Sequence, residues 1–425
     1  MTQIESTDVL VVGGGPAGVG AAMAAARHGA KTLLIERYGF LGGVAAHGMG
    51  MPVNQMRPGG QSRSVVHEAV LDAVFAYGEE AGSVVDHALV CNVDYLKVAI
   101  MDALDAAGCR YWLHTPIVGA EATDGRVTGV TAATKQGLRR VQAKAVVDAT
   151  GDADVAFHAG AETLKGRPED GFLSPMTLCF VIGNVDVEAA RAYADNDEEF
   201  VELLARARKH YPLVPDCLIL EKTGFPLRNH LAINHPGTRA LGTLDGTSVE
   251  DMTKAEAYSR RQAVQIVAAL RRFGPPAFAD VQLAGTAAQV GVRETRRVKG
   301  GYLMTEEDAA QGRRFEDAVA WRSGWLDIGW VRWEEMKVHD VPYRALLPER
   351  LDGLLVAGRC ISATHVGASA GKSMGNCMAT GHAAGLAAAM SAAQRRAPRE
   401  LEVAALQQAL RRDGVDLQWA GQNRP

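Results

Sequence analysis

Short apolar runs alternate along the chain with longer Ala-rich or amphipathic stretches, and this alternation predicts strand–helix–strand units before any motif is considered. Val9 to Val12 is a β-branched run of strand length, Pro16 to His28 is Ala-rich and helical, and "KTLLIE" ending at Glu36 is a second strand. Two helical stretches follow, "SRSVVHEAVLDAVFAYGEEAG" and "NVDYLKVAIMDALDAAG". The turn signals "TDGR" and "KQGL" then divide the segment up to "VVDAT" into short strands, read as a small antiparallel insertion. Ala145 to Ala149 is a buried strand broken by Thr150-Gly151-Asp152. Further on, "TLCFVIGNV" and "NHLAIN" read as strands and "TKAEAYSRRQAVQIVAALRRFG" as one long amphipathic helix. Near the end, the apolar strand in "LDGLLVAGRCIS" is followed by a glycine-interrupted loop that enters a small-residue helix, "ASAGKSMGNCMATGHAAGLAAAMSAA". These elements predict an α/β protein of two lobes, residues 1–155 with 345–425 forming one and 156–344 a mixed α+β second one.

Composition narrows the class. A chain of 425 residues that is 47% hydrophobic and 22% charged builds a large core. Its net charge of −4 gives no basic footprint for nucleic acid, which counts against a tRNA-modifying enzyme. The six cysteines (Cys91, Cys109, Cys179, Cys217, Cys360 and Cys377) contain no C-x-x-C pair. A disulfide scaffold, zinc ribbon, redox dithiol or iron–sulfur cluster therefore lacks its spacing, and no metal site is expected. No run approaches eighteen apolar residues, and the start "MTQIESTDVLVV" has no export-signal pattern, so a cytoplasmic protein without a membrane span is expected.

Between the first strand and the first helix, Gly13, Gly15 and Gly18 fill G-x-G-x-x-G. The first glycine permits the tight turn, the second lets backbone approach a pyrophosphate, and the third lets helix and strand pack closely. The helix start then offers free N–H groups and a positive dipole end, with Pro16 suited to its first turn. Glu36 ends the second strand, where an acidic side chain accepts hydrogen bonds from an adenosine ribose. A glycine-rich turn in an unrelated βαβ unit is the plain alternative; the complete order of strand, turn, helix, strand and acid favours a dinucleotide. The motif does not choose between NAD and FAD. A second glycine pair, Gly42 and Gly43, favours the longer flavin cofactor, and no second G-x-G-x-x-G follows a strand, so no dedicated NAD(P)H domain is expected.

The fingerprint, "DATGDADVA", "GVRETRRVKGGYLMTEED", "VPYRALLP", "LLVAGRCISATHV" and "MATGHAAGLAAA" together span nearly the whole chain. In these stretches the sequence resembles the FAD-dependent oxidoreductases of the glutathione-reductase type, in the branch that joins fumarate-reductase-like flavoproteins and relatives of the heterodisulfide reductase A subunit. The resemblance implies a Rossmann-type FAD-binding domain with a parallel central sheet. It places Gly13, Gly14, Gly15, Pro16, Ala17 and Gly18 at the pyrophosphate, Glu36 and Arg37 at the ribose, and Gly42, Gly43 and Val44 near the isoalloxazine. Ile117 and Val118 fall where relatives touch the adenine through backbone, with Thr150, Gly151 and Asp152 along the same half of the cofactor. Gly358 lets the ribityl chain pass, and Arg359 stands where many relatives carry an acid. Ser373, Met374, Gly375, Asn376 and Cys377 present a helix start to the flavin N1–C2=O edge. Lys372 replaces an expected arginine, so a bidentate carboxylate grip does not carry over. Some relatives attach FAD through a histidine lying before the small-residue run; His47 follows it, which favours non-covalent FAD.

Candidates for the chemistry are fewer. A strand over "NHLAIN" puts His230 and Asn234 on one face as substrate hydrogen-bonders, with a solvated strand face as the alternative. Arg293 and Arg297, four apart in "GVRETRRV", would share a helix face suited to an anion, or form a structural network with Glu294. Trp321, Trp325, Trp330 and Trp333 read as core or interface packing ahead of a pocket wall. His339 and His365 compete as general acid or base, with Tyr343 beside them and Lys372 stabilising negative charge. The expected function is a FAD-dependent dehydrogenase or reductase that passes hydride between a small organic substrate and flavin N5. An oxidase or monooxygenase, or an FAD-carrying electron-transfer subunit, is the alternative; the electron acceptor is unknown and a homo-oligomer stays open.

Overall fold

The computed structural model describes residues 4–221 and 227–418; Phe225 and Pro226, just ahead of the predicted strand at His230, lie outside the described residues. The opening unit is β1 (Ile4–Val12), α1 (Pro16–Arg27) and β2 (Thr32–Ile35). Next come α2 (Val44–His47), α3 (Val65–Phe75), a hairpin of β3 (Gly82–Val85) and β4 (Ala88–Cys91), α4 (Val93–Ala106) and β5 (Arg110–Trp112). The predicted antiparallel insertion is the meander β6 (Ile117–Thr123), β7 (Arg126–Thr134) and β8 (Gly137–Asp148). Its first turn holds Asp124 and Gly125 at φ 49° and 75°, the left-handed pair that a two-residue hairpin loop needs.

The middle of the chain supplies α5 (Asp154–His158), β9 (Thr163–Lys165), β10 (Phe180–Gly183), α6 (Val187–Ala194), α7 (Asp197–Arg208), β11 (Ile219–Leu220), β12 (His230–Asn234), α8 (Val249–Phe273) and β13 (Gln282–Thr286). The long predicted helix α8 begins where Ser248 Oγ accepts from the Asp251 amide at 3.2 Å, with acids in its first turn and Arg271 and Arg272 in its last, matching the helix dipole. The rest is β14 (Arg296–Val298), α9 (Glu306–Gln311), a long hairpin of β15 (Ala318–Asp327) and β16 (Trp333–Pro342), β17 (Leu354–Val356), α10 (His365–Ser369), α11 (Met374–Gln394) and α12 (Val403–Arg412).

The main sheet runs β5-β2-β1-β8-β7-β6, with β17 also on β8. Strands β5, β2, β1, β8 and β17 pair in parallel, and β8 carries the meander on its other part, so the insertion is continuous with the central sheet. Register brings Val12, Ile35, Asp148 and Val356 level at their carboxyl ends. Everything that follows these residues emerges along one edge, the side on which α/β sheets bind ligands. The largest apolar core surrounds this sheet, α1 and α11. A second core lies between the sheet β11-β12-β10-β13 and helices α7 and α8. The sequence reading assigned 156–344 to the second lobe; of that stretch, Val298, Met304, Val319, Ala320, Val341 and Tyr343 pack in the first core.

Buried histidines make the fold acid-sensitive. His235 Nε2 faces the Leu178 carbonyl at 3.0 Å and His339 Nδ1 the Lys337 carbonyl at 3.0 Å, and burial pulls each down to about 4. Between the ordinary histidine value near 6.5 and about 4, the unfolded chain binds protons that the folded chain does not. Stability therefore falls as pH drops through this window, by up to about 3 kcal/mol per histidine. Urea unfolding midpoints are expected to decline from pH 6.5 to 4, less steeply in His339→Gln; a flat profile would contradict this.

Candidate functional site

Each glycine of the opening turn faces a different neighbour. Gly13 has φ 95°, and a Cβ there would sit 2.6 Å from the Ala149 carbonyl oxygen. A Cβ on Gly18 would sit 1.7 Å from the Gly13 carbonyl oxygen, so α1 packs on the turn with no room for a side chain. Gly15 differs: its φ is −71° and a Cβ would meet only Gly43 Cα, at 4.0 Å. That open direction, at an α1 N-terminus with no side-chain cap and Pro16 in its first turn, is a corridor for a diphosphate.

Glu36 and the second glycine pair complete this wall. Glu36 is buried; its Oε2 accepts from the Gly14 amide at 2.5 Å and its Oε1 from the Tyr38 amide at 2.9 Å. The Gly42 amide donates to the Gly14 carbonyl at 2.7 Å, and a Cβ on Gly43 (φ 50°) would lie 2.8 Å from Gly15 Cα. Val44 starts the short α2 directly after. Because the Thr115 amide donates to the Glu36 carbonyl at 2.9 Å, Ile117 and Val118 begin β6 close to the acid.

Asp148, at the end of β8, accepts from Thr150 Oγ1 at 2.7 Å and so shapes the Thr150–Gly151 turn. Asp152 answers what Arg359 contacts: its Oδ1 accepts from Arg359 Nη2 at 2.6 Å and from Thr295 Oγ1 at 2.7 Å, with Arg37 at 3.9 Å. Burial pushes the Asp152 carboxyl up, but Arg359 and Arg37 outweigh it and hold it below the usual range. Gly358, at φ 82°, lets β17 approach α1, since a Cβ would lie 2.8 Å from Ala17 Cβ.

The start of α11, named from the sequence, is held by Gln55, Arg63, His67, Arg322 and Ser323, which the sequence does not mark. Ser373 is its N-cap, and a Cβ on Gly375 would lie 2.1 Å from the Gln55 carbonyl oxygen. Asn376 donates to the Ser323 carbonyl at 2.8 Å and accepts from Arg63 at 2.8 Å, so its side chain is fully engaged in fixing the loop. His67 Nε2 faces the Gly375 carbonyl at 3.0 Å, and Met374 is buried. Cys377 Sγ faces the Lys372 carbonyl at 3.3 Å, and burial pushes its thiol up. Arg322 lies under the loop with its Nε unpartnered and Nη1 on the Ala370 carbonyl at 3.1 Å. Arg63 and Arg322 bond to neutral acceptors, and among the described residues neither forms a salt bridge. Periodicity marks Arg63, just before α3, and His67, within it, only as polar positions, and gives no sign that they are buried.

At the end of β15, Lys372 Nζ lies 3.3 Å from Asp327 Oδ2 and also donates to the Asp327 carbonyl. Arg293 reaches the same Oδ2 at 3.4 Å and donates to Thr177 Oγ1 at 2.7 Å. Burial pushes the Asp327 carboxyl up, but Lys372 and Arg293 dominate and hold it down at about 2. Glu294, the residue after Arg293, has its Oε1 2.8 Å from His365 Nδ1. The Nε2 of His365 is buried and has no partner.

The remaining candidates fall elsewhere. Arg293 and Arg297 share no helix face, because β14 pairing with β9 takes residues 296–298 into a strand. Arg297 is buried against Glu294, the Ala363 carbonyl and the Gly166 carbonyl, and so is structural. Tyr343 donates to the Pro398 carbonyl at 2.8 Å in the core, which ties up its hydroxyl. His339 is buried in the β15–β16 hairpin opposite Arg322. His230 faces the Arg228 carbonyl at 2.6 Å at one end of β12; Asn234, at the other end about 13 Å away, lies 3.9 Å from Cys179 Sγ. Trp321 is buried under Arg63, whereas Trp325 and Trp333 are 44% and 64% exposed and stack on each other at 4.7 Å. The six cysteines are free, and no metal-binding group occurs among the described residues. No helix among the described residues is long and apolar enough to cross a membrane.

Comparison with known proteins identifies the family. The family model described as FAD dependent oxidoreductase matches residues 8–410. Digeranylgeranylglycerophospholipid reductase of Thermoplasma acidophilum is 31% identical over 160 residues, 35% of this chain and 40% of that protein. Thiamine thiazole synthase of Aeropyrum pernix is 30% identical over 178 residues, 40% of this chain and 63% of that protein. The chain thus covers less than two thirds of either relative's length. The crystal structure of a geranylgeranyl bacteriochlorophyll reductase-like protein from Thermoplasma acidophilum aligns with a TM-score of 0.48 at 16% identity, covering 96% of this chain and 83% of that one.

The residues present fit FAD: an open direction at Gly15, an acid at the end of β2, and buried cations without carboxylates under the start of α11. The chain belongs to the FAD-dependent oxidoreductase family, and its cofactor is FAD.

Proposed function

We propose that the protein is a dehydrogenase or reductase that holds FAD non-covalently on the lobe made by residues 1–155 and 345–425 and takes a small organic substrate against the 156–344 lobe. Bound FAD supplies the two-electron chemistry. The observation that carries the reading is that His365 Nε2 is buried and unpartnered, while Lys372, on the same chain segment, and Arg293, next to the His365 partner Glu294, converge on Asp327. His365 handles the proton that accompanies substrate oxidation or reduction, and Lys372 with Arg293 orients negative charge on the substrate. Gly13 to Gly18, Glu36 and the start of α11 hold the cofactor, with Thr150, Asp152, Gly358 and Arg359 shaping its far wall. Cytoplasmic location and an external electron acceptor belong to the same reading.

An anaerobic screen of metabolites for bleaching of the flavin absorbance tests it. A dehydrogenase or reductase is bleached by its substrate, or reoxidised by it after chemical reduction, and is slow to recover in air. Rapid recovery in air would assign the protein to the oxidases or monooxygenases instead. Lys372→Gln is expected to weaken substrate binding about tenfold or more, as loss of a buried charged hydrogen bond does. Unchanged binding would remove Lys372 from the site.

A further inference from the structure

Glu294 accepts four hydrogen bonds. Its Oε1 takes His365 Nδ1 at 2.8 Å and Arg297 Nη1, and its Oε2 takes the Ser174 amide at 3.3 Å and Ser174 Oγ at 3.5 Å. Burial pushes this carboxyl up, but the bonds to His365 and Arg297 overcome it and keep the group ionised. An ionised carboxylate can only accept, so the hydrogen on His365 Nδ1 is fixed there. In neutral His365 the other nitrogen, Nε2, is then a lone pair. His365 is 3% exposed and the edge of Phe172 closes one side, ring centres 6.0 Å apart at 80°. An acceptor left bare in such a place is destabilising until a donor reaches it.

The residue before Glu294 is Arg293, and three residues after α10, which begins at His365, comes Lys372. These two cations converge on the single carboxylate of Asp327, at 3.4 and 3.3 Å. One positive charge in this group is unbalanced, while Glu294 is matched by Arg297. An unpartnered ring nitrogen and a surplus cation thus belong to the same two chain segments, 293–294 and 365–372. An amino acid would bring an ammonium group against that cation. A hydroxyl group provides the donor that Nε2 is missing.

Resting on the reading of these residues as the substrate site, we propose that the substrate is a small hydroxy acid, oxidised to the corresponding oxo acid, with Glu294 as the positioning residue for His365. The substrate carboxylate lies against Lys372 and Arg293. The hydroxyl proton passes to His365 Nε2, giving an imidazolium that faces ionised Glu294. Bound FAD would supply the two-electron acceptor for the hydrogen on the same carbon, which would leave with its electron pair as the C–O bond becomes C=O.

The test uses the FAD-loaded enzyme under anaerobic conditions with small 2-hydroxy acids, their amides, the matching amino acids and unsaturated acids. Hydroxy acids are expected to bleach the flavin and their amides at least about tenfold less. Bleaching only by a compound of another class, or reoxidation of the chemically reduced flavin only, would overturn this inference while leaving the proposed function standing; neither bleaching nor reoxidation by any member of a broad metabolite panel would overturn both. A simple carboxylate lacking the hydroxyl, titrated by its perturbation of the flavin spectrum, separates positioning from structure. Glu294→Gln is expected to slow bleaching about 100-fold with the carboxylate dissociation constant within about threefold of wild type. Loss of carboxylate binding in step with the rate would make Glu294 structural and overturn its role. Should Glu294→Gln not bind FAD, His365→Asn gives the same separation: carboxylate binding kept and bleaching lost supports the proposal, and bleaching kept overturns it.

Discussion

Gly15→Glu is expected to fold and to bind no FAD. The backbone at Gly15 has φ −71°, which any residue adopts, and a Cβ there meets only Gly43 Cα at 4.0 Å. The new side chain would therefore enter the open corridor at the N-terminus of α1 and place a carboxylate where the cofactor diphosphate belongs. Steric exclusion and charge repulsion act together, so affinity is expected to fall by about a thousandfold or more, on the order of 4 kcal/mol. Unfolding without cofactor should change by less than about 1 kcal/mol, as for a surface substitution. Purified variant and wild type compared for flavin content and urea midpoint decide the matter. A yellow Gly15→Glu protein would contradict the assignment, and a failed fold would contradict the claim that the space is open.

The second large effect lies in the crossing of α1 and α11, where no side chain fits. A Cβ on Gly381 would sit 1.9 Å from the Ala17 carbonyl oxygen, one on Gly385 2.0 Å from the Ala21 carbonyl oxygen, and one on Gly20 2.5 Å from the Met378 carbonyl oxygen. These obstacles are backbone atoms of packed helices, which cannot turn aside as a side chain would. Alanine at Gly381 or Gly385 must push the helices apart, and because α11 also carries the loop at Lys372 and Ser373, the site moves with them. Each substitution is expected to cost about 3 kcal/mol or more, the upper range for overpacking. Denaturant unfolding of Gly385→Ala measures this, and weaker FAD binding should accompany it. A midpoint equal to that of wild type would show that the helices cross with more space than described.

How far the sequence reveals this protein depends on the range of the interaction concerned. The strand–turn–helix at Val9 to His28 and the small-residue helix after Lys372 are local patterns, and both form where the sequence places them. Arg359 shows the limit: its partner Asp152 is 207 positions away, and only the level carboxyl ends of β8 and β17 bring them together. Helix spacing suggested a common face for Arg293 and Arg297, but β14 finds its partner in β9, more than a hundred residues earlier, and pairing overrides local preference. His339 and His365 look equivalent in sequence. Burial in a hairpin ties one to a carbonyl, while Glu294 leaves the other with a bare nitrogen. Arg63, His67 and Arg322 carried no signal, because charge at one position says nothing about being buried by elements far along the chain.

The central claim is that the carboxyl edge of the main sheet holds one dissociable FAD per chain. It is tested most directly by titrating cofactor-free protein with FAD, following flavin fluorescence, and then precipitating the complex with acid. The account predicts saturation at one FAD per chain and all of the yellow colour in the supernatant. A folded protein that leaves flavin fluorescence unchanged, or a pellet that keeps the colour, would contradict it.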